Sequence, residues 1–185
     1  MKPQTETHKL PLTLRVESSA FGMNGSIPAQ FTADGDDIAP PLSWGTAPAG
    51  TKSIAVLVED PDAPNPDAPL RTFAHWIVTG IPATANGMRG GDAVPDGAKL
   101  GANDFGNQAW GGPNPPIGRH RYFFRVFALD IDLDDKGKGI TRPELLAAIK
   151  DHILAQGELI GTYEKPSQRR SAAQAGAERT THGRR

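Results

Sequence analysis

The chain has 185 residues, with 21 Gly, 17 Pro, no Cys and a formal net charge of −1. This length suits one domain with a sizeable core plus some peripheral segment. The lack of cysteine excludes disulfide staples, thiolate metal sites and cysteine nucleophiles. The scattered breakers, which follow no internal period, exclude a solenoid and leave room for short strands but few long helices.

Residues 1–10 read as an N-terminal extension. They lack the continuous apolar stretch of a secretory signal, and no stretch of the chain approaches a membrane span, so a cytoplasmic location is expected. Leu12 to Val16 alternates apolar and polar residues as a half-buried strand does. Ser18 to Trp44 is rich in Gly and Pro and reads as loops. Ser53 to Val58 is a short apolar run ending in acid and proline, and Ala74 to Ile81 is another, stopped by Pro82. The Gly/Asn/Asp-rich stretch Asn86 to Gly118 is too long for a plain connection, and loops of that length are usually functional. Tyr122 to Leu129 is the most apolar strand candidate and is expected at the centre of a sheet.

The period then changes. Thr141 and Glu144 have capping-box spacing with Pro143 in the first turn, and Leu145, Leu146, Ile149, Ile153 and Leu154 recur at helical spacing. One amphipathic helix is expected there, with Gly157 as its stop and a last short strand over Glu158 to Tyr163. From Pro166 onward the chain has no apolar periodicity and is expected to be a disordered basic tail, leaving 11–165 as the domain. From Lys165 there are six basic residues against one acidic, whereas the rest of the chain has 14 basic and 20 acidic residues. That acidic body would repel phosphate backbones, so no nucleic-acid partner is expected. Many short strands with one late helix predict an all-β-dominated, two-sheet antiparallel sandwich of Greek-key type with a C-terminal amphipathic helix.

Three segments could carry chemistry. Asp60-Pro61-Asp62-Ala63-Pro64 closes an apolar strand, and its prolines stiffen the chain that holds the two carboxylates. The plain alternative is a proline turn with solvated acids. His75 and Trp76 lie in one strand, where alternation sends their side chains to opposite faces. A packed structural histidine is the plain alternative at 75. Gly111 to Tyr122 joins glycines, which allow close approach to backbone N–H groups, with three prolines that keep the loop stiff. His120 and Tyr122 then share one strand face, with Arg121 opposite, and a surface hairpin is the plain alternative.

The motif D-P-D-A-P at Asp60–Pro64, the strand histidine His75, and G-P-x-P-P-x-G-x-H-R-Y at Gly112–Tyr122 resemble the two signature regions of the phosphatidylethanolamine-binding protein family. I-P-A-Q-F-T-A-D-G at Ile27–Gly35, A-P-P-L-S-W at Ala39–Trp44 and P-A-G-T-K-S at Pro48–Ser53 resemble its bacterial branch, the Raf-kinase-inhibitor-like proteins. The match runs from about Leu12 to Tyr163. The resemblance implies a two-sheet β fold with an anion pocket formed by Asp60, His75, Gly112, Pro113, His120 and Tyr122. Asp62, Pro64 and Arg121 are expected as structural neighbours, with Arg121 pairing Asp62. Both histidines are expected to offer N–H donors, Asp60 to orient an imidazole, and the Gly-rich loop to add backbone donors. Two departures stand out: bacterial relatives often carry cysteines where this chain has Ala33 and Asn114, so any redox role tied to that pair is lost.

The function implied is non-catalytic binding of a phosphate- or carboxylate-bearing ligand such as a phospholipid headgroup. Regulation of a protein partner such as a kinase, and a homodimer, are implied only by analogy. No cofactor or metal is called for. Affinity for phosphate-type anions should weaken as pH rises through the histidine titration. The alternative is a hydrolase- or lyase-type enzyme using Asp60, His75 and His120. It lacks a nucleophile elbow, and Ser43 could serve only if the fold brought it near.

Overall fold

The computed structural model describes residues 10–91, 93–133 and 137–168; the rest of the N-terminal extension and of the basic tail lie outside the described residues. In chain order the strands are β1 (Leu12–Thr13), β2 (Val16–Glu17), β3 (Gly25–Ser26), β4 (Leu42–Trp44), β5 (Ser53–Ala63) and β6 (Arg71–Pro82). They continue as β7 (Gly87–Met88), β8 (Lys99–Leu100), β9 (His120–Leu129) and β10 (Ile153–Tyr163), with helix α1 (Arg142–Ile149) before the last strand. The large sheet has the order β1-β10-β9-β5-β6-β8, with β3 also joined to β10, and the small sheet has the order β2-β4-β7. The long pairings are antiparallel, but β1 and β3 each run parallel to β10, so the sheet is not wholly antiparallel as expected. Among the described residues, no helix is long and apolar enough to cross a membrane.

Both faces of the large sheet are covered, which explains why its central strands read as continuous apolar runs. Val56, Val58, Trp76, Phe124 and Val126 meet Val16, Leu42 and Trp44 of the small sheet in the main core. On the opposite face Leu57, Ile77, Phe127 and Leu129 pack under Leu145 and Ile149 of α1. Both of those helix residues are essentially fully buried, worth roughly 1.5–3 kcal/mol each. The N-terminus of α1 is fixed by Glu144, whose carboxylate accepts the Thr141 backbone N–H at 2.8 Å. On the same side the buried carboxylate of Glu59 is paired with Arg125 and Arg142.

The helix is shorter than the periodicity suggests. It ends at Ile149, and Ile153 and Leu154 belong instead to β10. Short apolar repeats fit a strand between two covered faces as well as a helix, and strand pairing decides. Gly157 is no helix stop: it sits within β10, where an added Cβ would lie 1.9 Å from the Leu14 carbonyl oxygen. The expected strand Leu12 to Val16 is likewise divided, with β1 in the large sheet and β2 in the small one.

Candidate functional site

Two irregularities in the β5–β6 ladder set the site. Val58 pairs with Trp76, but the next residue of β5, Glu59, pairs with Ala74, which leaves His75 as the extra residue of a β-bulge. Simple alternation therefore does not separate His75 from Trp76. The His75 ring meets Tyr122 and the Trp76 ring meets Trp110, both in the inter-sheet layer. A second irregularity lies between Asp60 and Ala63, with the extra residue on β5. The strand thus runs through the D-P-D segment, past the expected end at Val58, and both carboxylates are buried.

Each carboxylate has its own partner on β9. Asp60 Oδ2 lies 2.7 Å from His120 Nδ1, while its Oδ1 accepts the Asp62 N–H at 2.8 Å. Asp62 accepts from the Arg121 backbone N–H at 2.9 Å and from the guanidinium at 3.0 and 2.8 Å. Those bonds hold the Asp62 carboxyl below its usual range despite burial. The period-2 alternation of β9 puts His120 and Tyr122 on one side and Arg121 on the other, as expected.

The two histidines differ in charge. His75 Nδ1 faces the Gly111 carbonyl at 2.6 Å, so it must donate. Burial pushes the ring's pKa down, outweighing the Gly111 bond and the charges of Asp60 and Asp104, so the ring is neutral near pH 7. His120 faces acceptors with both nitrogens, Asp60 at Nδ1 and the Ile117 carbonyl at Nε2, 3.0 Å away. Burial opposes its charge, but the Asp60 hydrogen bond and charge, with Ile117, hold its pKa above the ordinary value. The expectation of two N–H donors for an anion is therefore corrected: both His120 donors are in use, and His75 spends its one on Gly111.

These groups floor a cavity of about 310 Å³. Asp60, His75, His120 and Tyr122 come together in it, and Pro64 is on its wall. Asn114, Pro115 and Pro116 of the stiff loop form another side, while four wall residues were not singled out from the sequence: Leu70, Phe73 and Phe105 provide apolar surface, and Arg71 sits over the Phe73 ring at 4.7 Å. Phe73, His75 and Phe105 pack as tilted and T-shaped ring pairs with centroids 4.7–5.5 Å apart. The Tyr122 hydroxyl is buried with no hydrogen-bond partner among the described residues, and burial beside Asp60 pushes its pKa upward. The cavity is therefore an apolar slot with a few convergent polar groups, the usual composition of a small-ligand site.

Gly112 and Pro113 do not line it. The Gly112 N–H donates to Asp37 at 2.7 Å, and a Cβ there would lie 2.3 Å from the same carboxylate oxygen. The Pro113 carbonyl accepts the Ala33 N–H at 3.1 Å, and the Gly111 N–H is used by the His75 carbonyl. The N–H groups of Gly111 and Gly112 thus hold loops together instead of facing the cavity. Ala33 and Asn114, the two departures noted above, share a smaller hollow of about 230 Å³ with Asp37 and Trp110. Ser43 lies in the small sheet and does not line the cavity. Among the described residues no group of three or more His, Cys, Asp or Glu could hold a metal ion. Within the segment read as tail, Gln168 donates its side-chain amide to the carbonyls of Pro116 and Pro115 at 2.7 and 3.3 Å.

A family model described as phosphatidylethanolamine-binding protein matches residues 17–164. The chain belongs to that family. It is 40% identical over 156 residues to a UPF0098 protein of Methanothermobacter thermautotrophicus, covering 82% of this chain and 99% of the relative. A UPF0098 protein of Aquifex aeolicus is also 40% identical, over 82% of this chain and 89% of its own length. Among solved structures, the family homologue CT736 of Chlamydia trachomatis matches with a TM-score of 0.76 and 37% identity, over 83% of this chain and 98% of its own. E. coli YbcL, described as a new member of the mammalian family, matches with a TM-score of 0.74 and 29% identity, over 82% and 98%. This chain is thus a family member of bacterial and archaeal type.

Proposed function

We propose that the protein binds, without transforming it, a small ligand that carries a phosphate- or carboxylate-type group on an apolar body. A single observation carries this reading: an apolar-walled cavity of about 310 Å³ on whose floor His75, Tyr122 and the Asp60–His120 pair converge. The apolar body has Phe73, Phe105 and Leu70 to pack against. The charged end has Arg71, the one basic side chain on that wall besides the histidines, and Arg71 makes no ion pair among the described residues. A phospholipid headgroup, which the family's name evokes, is one carrier of such a group. A regulated protein partner such as a kinase is the further role analogy suggests.

The non-catalytic part of the proposal is supported by the lining itself. Among the described residues the wall contains no serine, threonine or lysine to act as nucleophile, and the carboxylate best placed as a base is engaged by His120. Calorimetric titration with phenyl phosphate should give saturable one-to-one binding that Arg71→Ala weakens about tenfold, the loss of one charge-assisted contact. Absence of saturable binding would refute the site. Multiple turnover of the ester, lost in His75→Phe, would replace binding with hydrolysis.

A further inference from the structure

His75 fixes the polarity of the cavity floor. Its Nδ1 proton is committed to the Gly111 carbonyl, so in the neutral ring Nε2 holds a lone pair. Nε2 makes no hydrogen bond among the described residues, yet it is not one of the unpartnered side-chain atoms sealed from solvent. The residue as a whole is only 4% exposed and lies on the cavity wall, so this nitrogen opens into the cavity.

The groups around His75 keep it an acceptor. From β5 comes Asp60 and from β9 come His120 and Tyr122, while Asp104 approaches from the β8–β9 connection and Arg71 lies on the same strand. A charge on His120 opposes a second one on His75. A fully ionised oxyanion placed here would set a negative oxygen against a lone pair, with the Asp60 carboxylate close by. An oxyacid that retains one proton would instead donate to Nε2 and leave its charge for Arg71.

Resting on the anion-site reading above, the geometry points to a site that selects oxyacid groups still carrying a proton. Phosphomonoester monoanions and carboxylic acids on an apolar body fit; sulfate esters and phosphodiesters, which have no O–H to give, do not. His75 is then the specificity-determining residue, and the site discriminates against a diester headgroup.

Three probes of one shape test this: phenyl phosphate, phenyl sulfate and methyl phenyl phosphate, titrated calorimetrically into the protein at about pH 5 and about pH 8. Near pH 5 only phenyl phosphate keeps an O–H, its second pKa being about 6. It should bind at least about tenfold tighter than the other two, and most of that advantage should vanish near pH 8. Nitrogen NMR of the complex should show Nε2 of His75 unprotonated. Equal affinities for the three esters near pH 5, or a protonated Nε2 in the complex, would overturn the inference while leaving anion binding in place. Failure of all three to bind would remove both. His75→Phe keeps the ring contacts and should level the three affinities; should it not fold, the unmodified protein already decides.

Discussion

Nδ1 of His120 and Oδ2 of Asp60 lie 2.7 Å apart with both side chains almost wholly buried, so a charged pair is built into the floor of the cavity. Neither member can be removed cheaply, because the other is left charged and dry. Asp60→Asn keeps an acceptor for the Asp62 N–H but removes the charge. It should destabilise the protein by about 3 kcal/mol near pH 6 and by less near pH 9, because the charge on His120 that Asp60 offsets is lost as pH rises. Urea unfolding at the two pH values checks this; an equal loss at both would mean that the pair is not ionic.

The two histidines should titrate to opposite sides of the ordinary imidazole value. His120 is raised in the folded state, so its contribution to stability is complete below about pH 6.5 and is lost as pH rises through its folded pKa. His75 is lowered, so its contribution is complete above about pH 6.5 and is lost as pH falls towards its folded pKa. Proton NMR of the two ring resonances should place the His120 midpoint above that of His75. The reverse order would contradict the hydrogen-bond assignments.

Asp62 and Arg121 make a two-pronged contact that ties the end of β5 to the entry of β9. Arg121→Lys keeps the charge but loses the fork, and should cost about 1 kcal/mol; Arg121→Ala should cost about 2 kcal/mol. Because the Asp62 carboxyl is lowered when folded, the advantage of the unmodified protein over Arg121→Ala is present above about pH 4 and should shrink as the solution is made more acidic. Denaturant midpoints measured between about pH 2 and pH 6 would show a constant difference if Asp62 were not the group involved.

Gly112 and Gly157 should both resist alanine, for different reasons. At Gly112 a methyl group meets Asp37 at 2.3 Å and the Phe31 carbonyl at 2.9 Å, so Gly112→Ala should loosen the loop under Asn114 and lower ligand affinity along with stability. At Gly157 the obstacle is backbone, the Leu14 carbonyl at 1.9 Å, so Gly157→Ala should destabilise by about 3 kcal/mol or more and expose the β10 edge. Ligand titration separates the two: Gly157→Ala protein that remains folded should bind normally.

The sequence carried the architecture through its apolar runs and the site through its ordered motifs. Val56 and Val58, Trp76, and Phe124 with Val126 lie where an apolar strand pattern places them, and His120 with Tyr122 obeys alternation. The ladder irregularities were not legible. Nothing in the residues around His75 announces a bulge, because an extra residue is defined only against its partner strand. The same gap hid the protonation states, since the Gly111 and Ile117 carbonyls that set them belong to a loop folded back by distant contacts. Gly112 and Pro113 looked like ligand-facing residues, yet Asp37 and Ala33, some 75 residues away in the chain, are what they hold. Leu70 and Phe105 on the cavity wall were missed because lone apolar residues in loops carry no period, and Phe73 because β6 begins before the apolar run that starts at Ala74.

Gln168 reaches the Pro115 and Pro116 carbonyls from the opposite end of the chain, fastening from outside the same prolines that form the cavity's inner side. Trimming the protein back to Lys165, or fusing a tag at that point, would therefore alter the stiffness of the slot as well as the length of the chain. Affinities measured on so shortened a form would belong to a looser receptor than the 185-residue chain.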